Sequence, residues 1–149
     1  METRINIQET EPAAYNEMLG LETYLQTAKV PKKQLYLLKI RASQINSCAF
    51  CIDKHTKEAL NIGETAQRIF LLNAWQETDM FTPEEKIILA MTEEITLISK
   101  NGLSNKTYNA AAALFDKVYI AQLILAIVAI NGWNRIAKST QLEVDLNLY

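Results

Sequence analysis

Hydrophobic residues recur along nearly the whole chain at spacings of three and four, the repeat of one face of an α-helix. After Pro12, the positions Tyr15, Met18, Leu19, Glu22 (through its methylene stem) and Leu25 form one such stripe. Pro31 suits the first turn of a second helix, whose stripe is Leu35, Leu38, Ala42 and Ile45. A third helix is predicted to start near Asn46 or Ser47, either of which can cap it, and to run to about Asn61, with Gly63 just beyond. A fourth spans roughly Thr65 to Trp75. The clearest start signal is Thr82-Pro83-Glu84-Glu85, an N-cap, a first-turn proline and a capping-box glutamate. The helix that follows carries Ile88, Met91, Ile95 and Ile98 and is predicted to close at Asn101-Gly102. A shorter helix covers Lys106 to Leu114, and the last runs from about Asp116 to Lys138, apolar on nearly all sides. No run of alternating β-branched residues is bounded by turns, so no strand is predicted. The fold read here is all-α: a single domain over residues 1–149, built as a bundle of roughly six or seven helices.

Composition narrows the role more than the fold. The 149 residues carry a net charge of −2, with acids and bases interspersed, and neither a basic stripe nor an acidic tail. That pattern gives no footing for a nucleic acid. The polar stretch Met1 to Pro12 lacks an apolar signal region, and the run Val118 to Ile130 falls short of the roughly 20 residues that cross a bilayer. No membrane role and a cytoplasmic location are therefore expected, with the last helix central to the domain or buried in an oligomer. In that compartment two cysteines stay reduced by default, so a pair of them points to redox or metal chemistry rather than to a staple.

Both cysteines and the only histidine fall within Asn46-Ser47-Cys48-Ala49-Phe50-Cys51-Ile52-Asp53-Lys54-His55. Helical spacing puts Cys48, Cys51 and His55 on one face of the third helix, with Cys51 and His55 one turn apart. Cys48 and Cys51 are close enough for a disulfide, whereas Cys48 and His55 are separated by roughly 10 Å of rise. A thiol with a pKa near 8.5 is only a few per cent thiolate at neutral pH, and the thiolate is the nucleophile. The partial positive charge at a helix N-terminus and proton acceptance by His55 both raise that fraction. Thiolate attack on a peroxide gives a sulfenic acid, which a neighbouring thiol converts to a disulfide. In this reading Cys51 attacks and Cys48 resolves. Cys48, nearer the helix start, is expected to be the more exposed sulfur and the one an external dithiol attacks.

Other readings of the same residues stay open. A structural zinc wants four N/S ligands, and the chain has three. A three-ligand catalytic zinc, or a metal shared between chains, remains an alternative, as does a plain core containing two buried cysteines and a hydrogen-bonded histidine. A thioredoxin-like reading lacks its βαβ context. Arg41 and Arg135 are expected in salt bridges or at helix ends. Trp75, Trp133, Asn131 and Asn134 are expected in packing and interhelical hydrogen bonds. Asp53 and Glu58 are assigned to a solvated face, and Glu64 to a first-turn helix charge.

The stretch Ile40-Arg41-Ala42-Ser43-Gln44-Ile45-Asn46-Ser47-Cys48-Ala49-Phe50-Cys51, continuing to His55, resembles the core of the carboxymuconolactone decarboxylase/alkylhydroperoxidase D-like family. Gly63 to Trp75, Phe81-Thr82 and Ile130 to Arg135 resemble members of its CxxC branch. The resemblance implies an all-α fold, homo-oligomers (often trimers or hexamers) and reduction of a hydroperoxide by a catalytic dithiol, recycled by a lipoamide-like or protein dithiol. It implies no cofactor or metal. It matches Cys51 to the peroxidatic cysteine, Cys48 to the resolving one and His55 to the proton-relay histidine. Peroxidase members carry a glutamate twelve residues before the first cysteine, where this chain has Tyr36. Tyr36, Ile40, Ser43 and Ser47 share a stripe, so the phenol can still face the site as a hydrogen-bond donor, though it is a poor base. Two further functions are weighed: a non-enzymatic, redox-responsive interaction protein, and decarboxylation of a lactone acid, which the dithiol and the lack of a cationic pocket disfavour.

Overall fold

The most apolar segment of the chain forms the longest helix, and the rest of the structure is arranged around it. The computed structural model describes residues 2–144. Its helices are α1 (Ile7–Thr10), α2 (Pro12–Gln26), α3 (Lys32–Ile45), α4 (Ala49–Asn61), α5 (Ala66–Phe70), α6 (Pro83–Thr96), α7 (Asn105–Leu114) and α8 (Lys117–Thr140), with a 3-10 segment Leu72–Glu77 between α5 and α6. Among the described residues there is no strand, and the architecture is the all-α bundle predicted.

α8 packs against α2, α3, α4, α6 and α7. Its buried residues Ile120, Leu123, Ala126, Ile127 and Ile130 form one core with Leu35, Leu38 and Ala42 of α3 and Ile88 and Met91 of α6. α8 is longer than the apolar run that announced it: by length and composition it could cross a membrane, but 56 % of its most apolar window is buried inside the structure. Burial in a protein core accounts for the same pattern. A second cluster gathers Leu37, Ile40, Ala59, Ile69, Leu72, Trp75, Phe81 and Leu89 on the other side of α3.

Several boundaries depart from the periodicity. The third predicted helix begins one residue later than expected: Asn46 is the C-cap of α3, Ser47 has φ +52° and Cys48 is the N-cap of α4. The corner is that tight because the Cys48 N–H donates back to the Ser43 carbonyl at 3.0 Å. The segment Thr65–Trp75 is not one helix, since Ala74 leaves helical geometry (φ −121°, ψ 25°) and the chain tightens into 3-10 turns. α6 starts with the predicted capping box on Thr82 and Glu85 but ends at Thr96, before Asn101-Gly102. The chain turns back there because the Glu94 carboxylate accepts from the Ser104 N–H, the Ser104 hydroxyl and the Thr107 hydroxyl, drawing α7 onto α6. Gly102, at φ +64°, absorbs the turn.

A polar clamp, half-buried at Asn46 and Asn131 and buried at Asn134 and Ser43, joins the α3–α4 corner to α8. The Asn46 amide donates to the side-chain oxygens of Asn131 and Asn134, both at 2.9 Å, and Asn134 donates to the Ser43 hydroxyl at 3.0 Å. These are the interhelical bonds expected of the asparagine pair. Removing one member takes a hydrogen bond from each of its partners, at a cost of about 1–3 kcal/mol. Asn134→Ala should therefore lower unfolding stability by about 2–3 kcal/mol, read as a reduced midpoint in urea. Thr82→Ala, which removes only the α6 cap, should cost about 1 kcal/mol by the same measurement; equal losses would mean that the clamp adds nothing beyond an ordinary cap.

Candidate active site

The α3–α4 corner delivers the two cysteines to different surroundings. Cys48 and Cys51 are joined as a disulfide, with Cα atoms 5.3 Å apart. Cys48 is 1 % exposed and Cys51 3 % exposed, so the expectation that Cys48 is the accessible sulfur is wrong. The N-cap position folds Cys48 under the corner, in extended rather than helical backbone, while Cys51 lies one turn into α4 and lines a cavity of about 440 Å³. Cys48 is not part of that lining.

Tyr15, Leu19, Phe50, Trp133, Ile136 and Leu142 give the cavity an apolar wall. Tyr15 and Trp133 meet edge to face across α2 and α8, with ring centroids 5.3 Å apart. The polar residues of the lining are Glu22, Gln26, Tyr36, Lys39, Lys54, His55 and Glu58. The structure thus brings Cys51, His55 and Tyr36 to one cavity and leaves Cys48 behind it, bonded to Cys51.

His55 is buried, and its Nδ1 lies 2.7 Å from Glu58 Oε2, one turn further along α4. The other oxygen of Glu58 accepts from Lys54 at 2.7 Å. Burial alone would raise the Glu58 pKa, but the hydrogen bonds from His55 and Lys54 outweigh it and hold the carboxyl at about 2. Burial pushes the His55 imidazole below its ordinary value, with Lys39 and Lys54 adding to the effect against the Glu58 hydrogen bond. Both directions describe one state, a neutral imidazole beside an ionised carboxylate. A carboxylate can only accept, so the ring proton sits on Nδ1 and Nε2 keeps its lone pair free to take a proton. Cys51, at i−4, is its neighbour on the helix.

Glu58 therefore belongs to the site and not to the solvated face assigned to it. The signal was present in the sequence as a carboxylate three residues after the only histidine, a spacing that pairs side chains on a helix. Asp53 is likewise only partly solvated, paired with Lys57 at 2.7 Å. Glu64 lies just before the N-cap Thr65 rather than in the first turn of α5, buried against Arg68 at 3.0 Å.

Tyr36 reaches the cavity as its stripe predicted, its ring centroid 6.3 Å from that of His55. Burial, reinforced by the charge of Glu58, raises its pKa, so the phenol stays protonated and can donate but not act as a base. Of two charged residues on the wall, Glu22 sits on the α2 stripe as its spacing predicted, and Lys39 had no such signal. Lys39, on the buried side of α3 and 2 % exposed, donates to Glu22 of α2 at 2.6 Å. The second Glu22 oxygen is buried with no hydrogen-bond partner among the described residues. Arg41 is salt-bridged as expected, 2.7 Å from Glu93, which also accepts from the Trp75 indole at 2.8 Å. Arg135 donates to the backbone and side chain of Asn131, one turn back on α8.

Known proteins share this fold and much of this sequence. A solved protein of unknown function from Agrobacterium tumefaciens, suggested to be the antioxidant defence protein AhpD, superposes with a TM-score of 0.94. It is 34 % identical, and the match covers 98 % of this chain and 100 % of that one. The uncharacterised protein YdfG of Bacillus subtilis is 40 % identical over 137 residues, covering 92 % of this chain and 93 % of its own. The debrominase Bmp8 superposes with a TM-score of 0.83 over 93 % of this chain and 75 % of that one, but at 14 % identity the likeness is one of fold alone. The model of the carboxymuconolactone decarboxylase family matches residues 11–94, a span that holds Tyr36, Cys48, Cys51 and His55. By that match and by these relatives, the chain belongs to the carboxymuconolactone decarboxylase family, in its alkylhydroperoxidase D-like form with a CxxC pair.

Proposed function

We propose that this protein reduces hydroperoxides through the Cys48/Cys51 dithiol. The observation that carries the reading is the shared cavity: Cys51, already bonded to a second cysteine, opens onto the same cavity as a neutral, carboxylate-oriented His55. In the reduced protein, Nε2 of His55 takes the Cys51 proton, and the thiolate attacks the terminal peroxide oxygen. The O–O bond breaks, Cys51 becomes a sulfenic acid, and the alkoxide collects a proton from His55 or the Tyr36 phenol. Cys48 then attacks the sulfenic sulfur, water leaves and the disulfide forms. One hydroperoxide and two thiols thus give an alcohol, water and a disulfide. A dithiol reductant, lipoamide-like or carried by a protein, returns the pair to the reduced state. Such a cycle suits a reducing, cytoplasmic setting.

We also propose that the protein assembles as a homo-oligomer, a trimer or hexamer. Val118, Leu125 and Val128 leave an apolar stripe exposed on α8, beside Tyr108 and Leu114 of α7. Light scattering should give a mass above that of the monomer, and Val128→Lys should lower it; a monodisperse monomer for the unaltered chain sinks the assembly.

Steady-state consumption of an organic hydroperoxide with a small dithiol tests the function directly. Sustained turnover is the expected result; one stoichiometric oxidation without turnover would instead favour a redox-responsive interaction protein. In Cys48→Ser, dimedone should trap a sulfenic acid at Cys51, and in Cys51→Ser, Cys48 should react far more slowly. Equal labelling of the two variants would erase the assignment.

The histidine's part is read from thiol titration. In Cys48→Ser, the pH profile of Cys51 alkylation should inflect below 8.5, and adding His55→Ala should move it up toward about 8.5, the value of a free thiol. Peroxide attack should accordingly slow at pH 7, by up to about 30-fold as the thiolate fraction falls to a few per cent, and much less at pH 9, where the thiolate forms unaided. Tyr36→Glu should speed attack by about 10- to 100-fold if a carboxylate at this position can join the proton path; no gain would exclude the position from it.

A further inference from the structure

We infer that the reductant enters the same cavity as the peroxide and attacks Cys51, not Cys48, with Cys48 as the sulfur that leaves. The inference rests on the peroxidase reading for its place in a cycle, but its chemistry is that of the disulfide alone.

Two independent observations converge. The first is access. Both sulfurs are nearly sealed from solvent, yet only Cys51 lines the cavity of about 440 Å³, whereas Cys48 is folded beneath the α3–α4 corner beside Ala137. Thiol–disulfide exchange requires the attacking sulfur to touch the sulfur it bonds to. The second is the leaving group. Exchange runs faster when the departing thiol has the lower pKa. Cys48 is the N-cap of α4, a helix of 13 residues, and no side-chain hydrogen bond occupies that cap. The unpaired N–H groups and positive end of the helix dipole therefore await a thiolate at Cys48, the setting that depresses a cysteine pKa. Cys51, one turn in, lacks that advantage, but it has His55 as a neighbour to protonate or deprotonate it.

The balance is simple. A thiolate of the reductant bonds to Cys51 Sγ, the Cys48–Cys51 bond breaks, and Cys48 departs as a thiolate. The second thiol of the reductant attacks its own sulfur in the mixed disulfide, closes a cyclic disulfide and releases Cys51 as a thiolate. Two electrons pass from the dithiol to the cysteine pair, and the protons of the two reductant thiols end on Cys48 and Cys51. Cys51 is then the nucleophile in one half-reaction and the electrophile in the other, both in one cavity. A small dithiol fits a space of this volume with an apolar wall.

Three measurements on the unaltered protein test this. Protein oxidised with diamide is mixed briefly with benzyl mercaptan, quenched in acid with N-ethylmaleimide and sequenced by tandem mass spectrometry. The benzyl disulfide should sit on Cys51 and the maleimide on Cys48; the reverse pattern overturns the inference. Because diamide makes the disulfide, this result stands whether or not peroxide is a substrate. Failure of hydroperoxides to oxidise the reduced protein would sink the peroxidase reading alone.

In the second measurement, 2-phenylpropan-2-ol, the alcohol left by cumene hydroperoxide, should slow both half-reactions with one inhibition constant. Slowing of peroxide attack without slowing of reduction would mean two entrances. In the third, a dithiol coupled to dextran through a long alkyl arm should reduce the protein at close to the rate of the free dithiol. A short arm should cost about 10-fold or more through lost access, and equal rates for the two arms would show that the disulfide is reached from the surface.

Discussion

The geometry of the site hangs on the asparagine clamp between the α3–α4 corner and α8. Asn46, at the last cap of α3, is held by Asn131 and Asn134, and its carbonyl accepts from Lys138 at 2.7 Å. Asn131 in turn donates to Thr96 at the end of α6. Such a network is worth keeping only when every member is satisfied, because a buried amide without a partner costs more than an apolar replacement. Once satisfied, it leaves the corner one geometry: Ser47 is forced to positive φ, and Cys48 becomes a cap with Cys51 one turn beyond. The depth of one sulfur and the cavity exposure of the other follow from that single register.

The same corner sets the electrostatics. α4 carries Lys54, His55 and Glu58 in sequence, and only a helix brings the lysine and the imidazole to the two oxygens of one carboxylate. The carboxylate is neutralised on the solvent side by Lys54, so it fixes the imidazole without needing to be protonated itself. Across the cavity, Lys39 and Glu22 form a second pair, with side-chain exposures of 3 % and 20 %. A buried ammonium alone is costly, and its carboxylate partner offsets that cost only at short range, here 2.6 Å. Charge within this cavity is thus paired on two sides, leaving the apolar wall of α2 and α8 as the surface against which a substrate's carbon skeleton would lie.

These arrangements give the two sulfurs unequal chemistry from a symmetric motif. A CxxC pair in isolation offers two similar thiols. Here the cap position favours charge on Cys48, while the cavity and His55 favour reaction at Cys51. Steric access and the helix end thus act on different sulfurs of one pair. The cavity beside Cys51 is walled by residues of α2, α4 and α8 and by Leu142 just past α8.

The sequence by itself determined the helical class, the capping box at Thr82, the apolar nature of α8 and the clustering of Cys48, Cys51 and His55, because each is a matter of local spacing. It also carried the pairing of His55 with Glu58, a contact three residues apart that the polar character of Glu58 disguised as surface. Tertiary structure alone decided the rest. Whether Cys48 or Cys51 faces a cavity depends on a one-residue shift at a corner held from α8, more than 80 positions away. The end of α6 at Thr96 depends on Glu94 capturing Ser104 and Thr107, and the break at Ala74 on packing between α3 and α6. Lys39 carries no mark of burial, since a lysine looks like any solvated charge until another helix supplies its partner, here Glu22 on the inward stripe of α2. Periodicity reports which face of a helix is buried; it cannot report what that face is buried against, and for this site the second fact decides which sulfur meets the cavity.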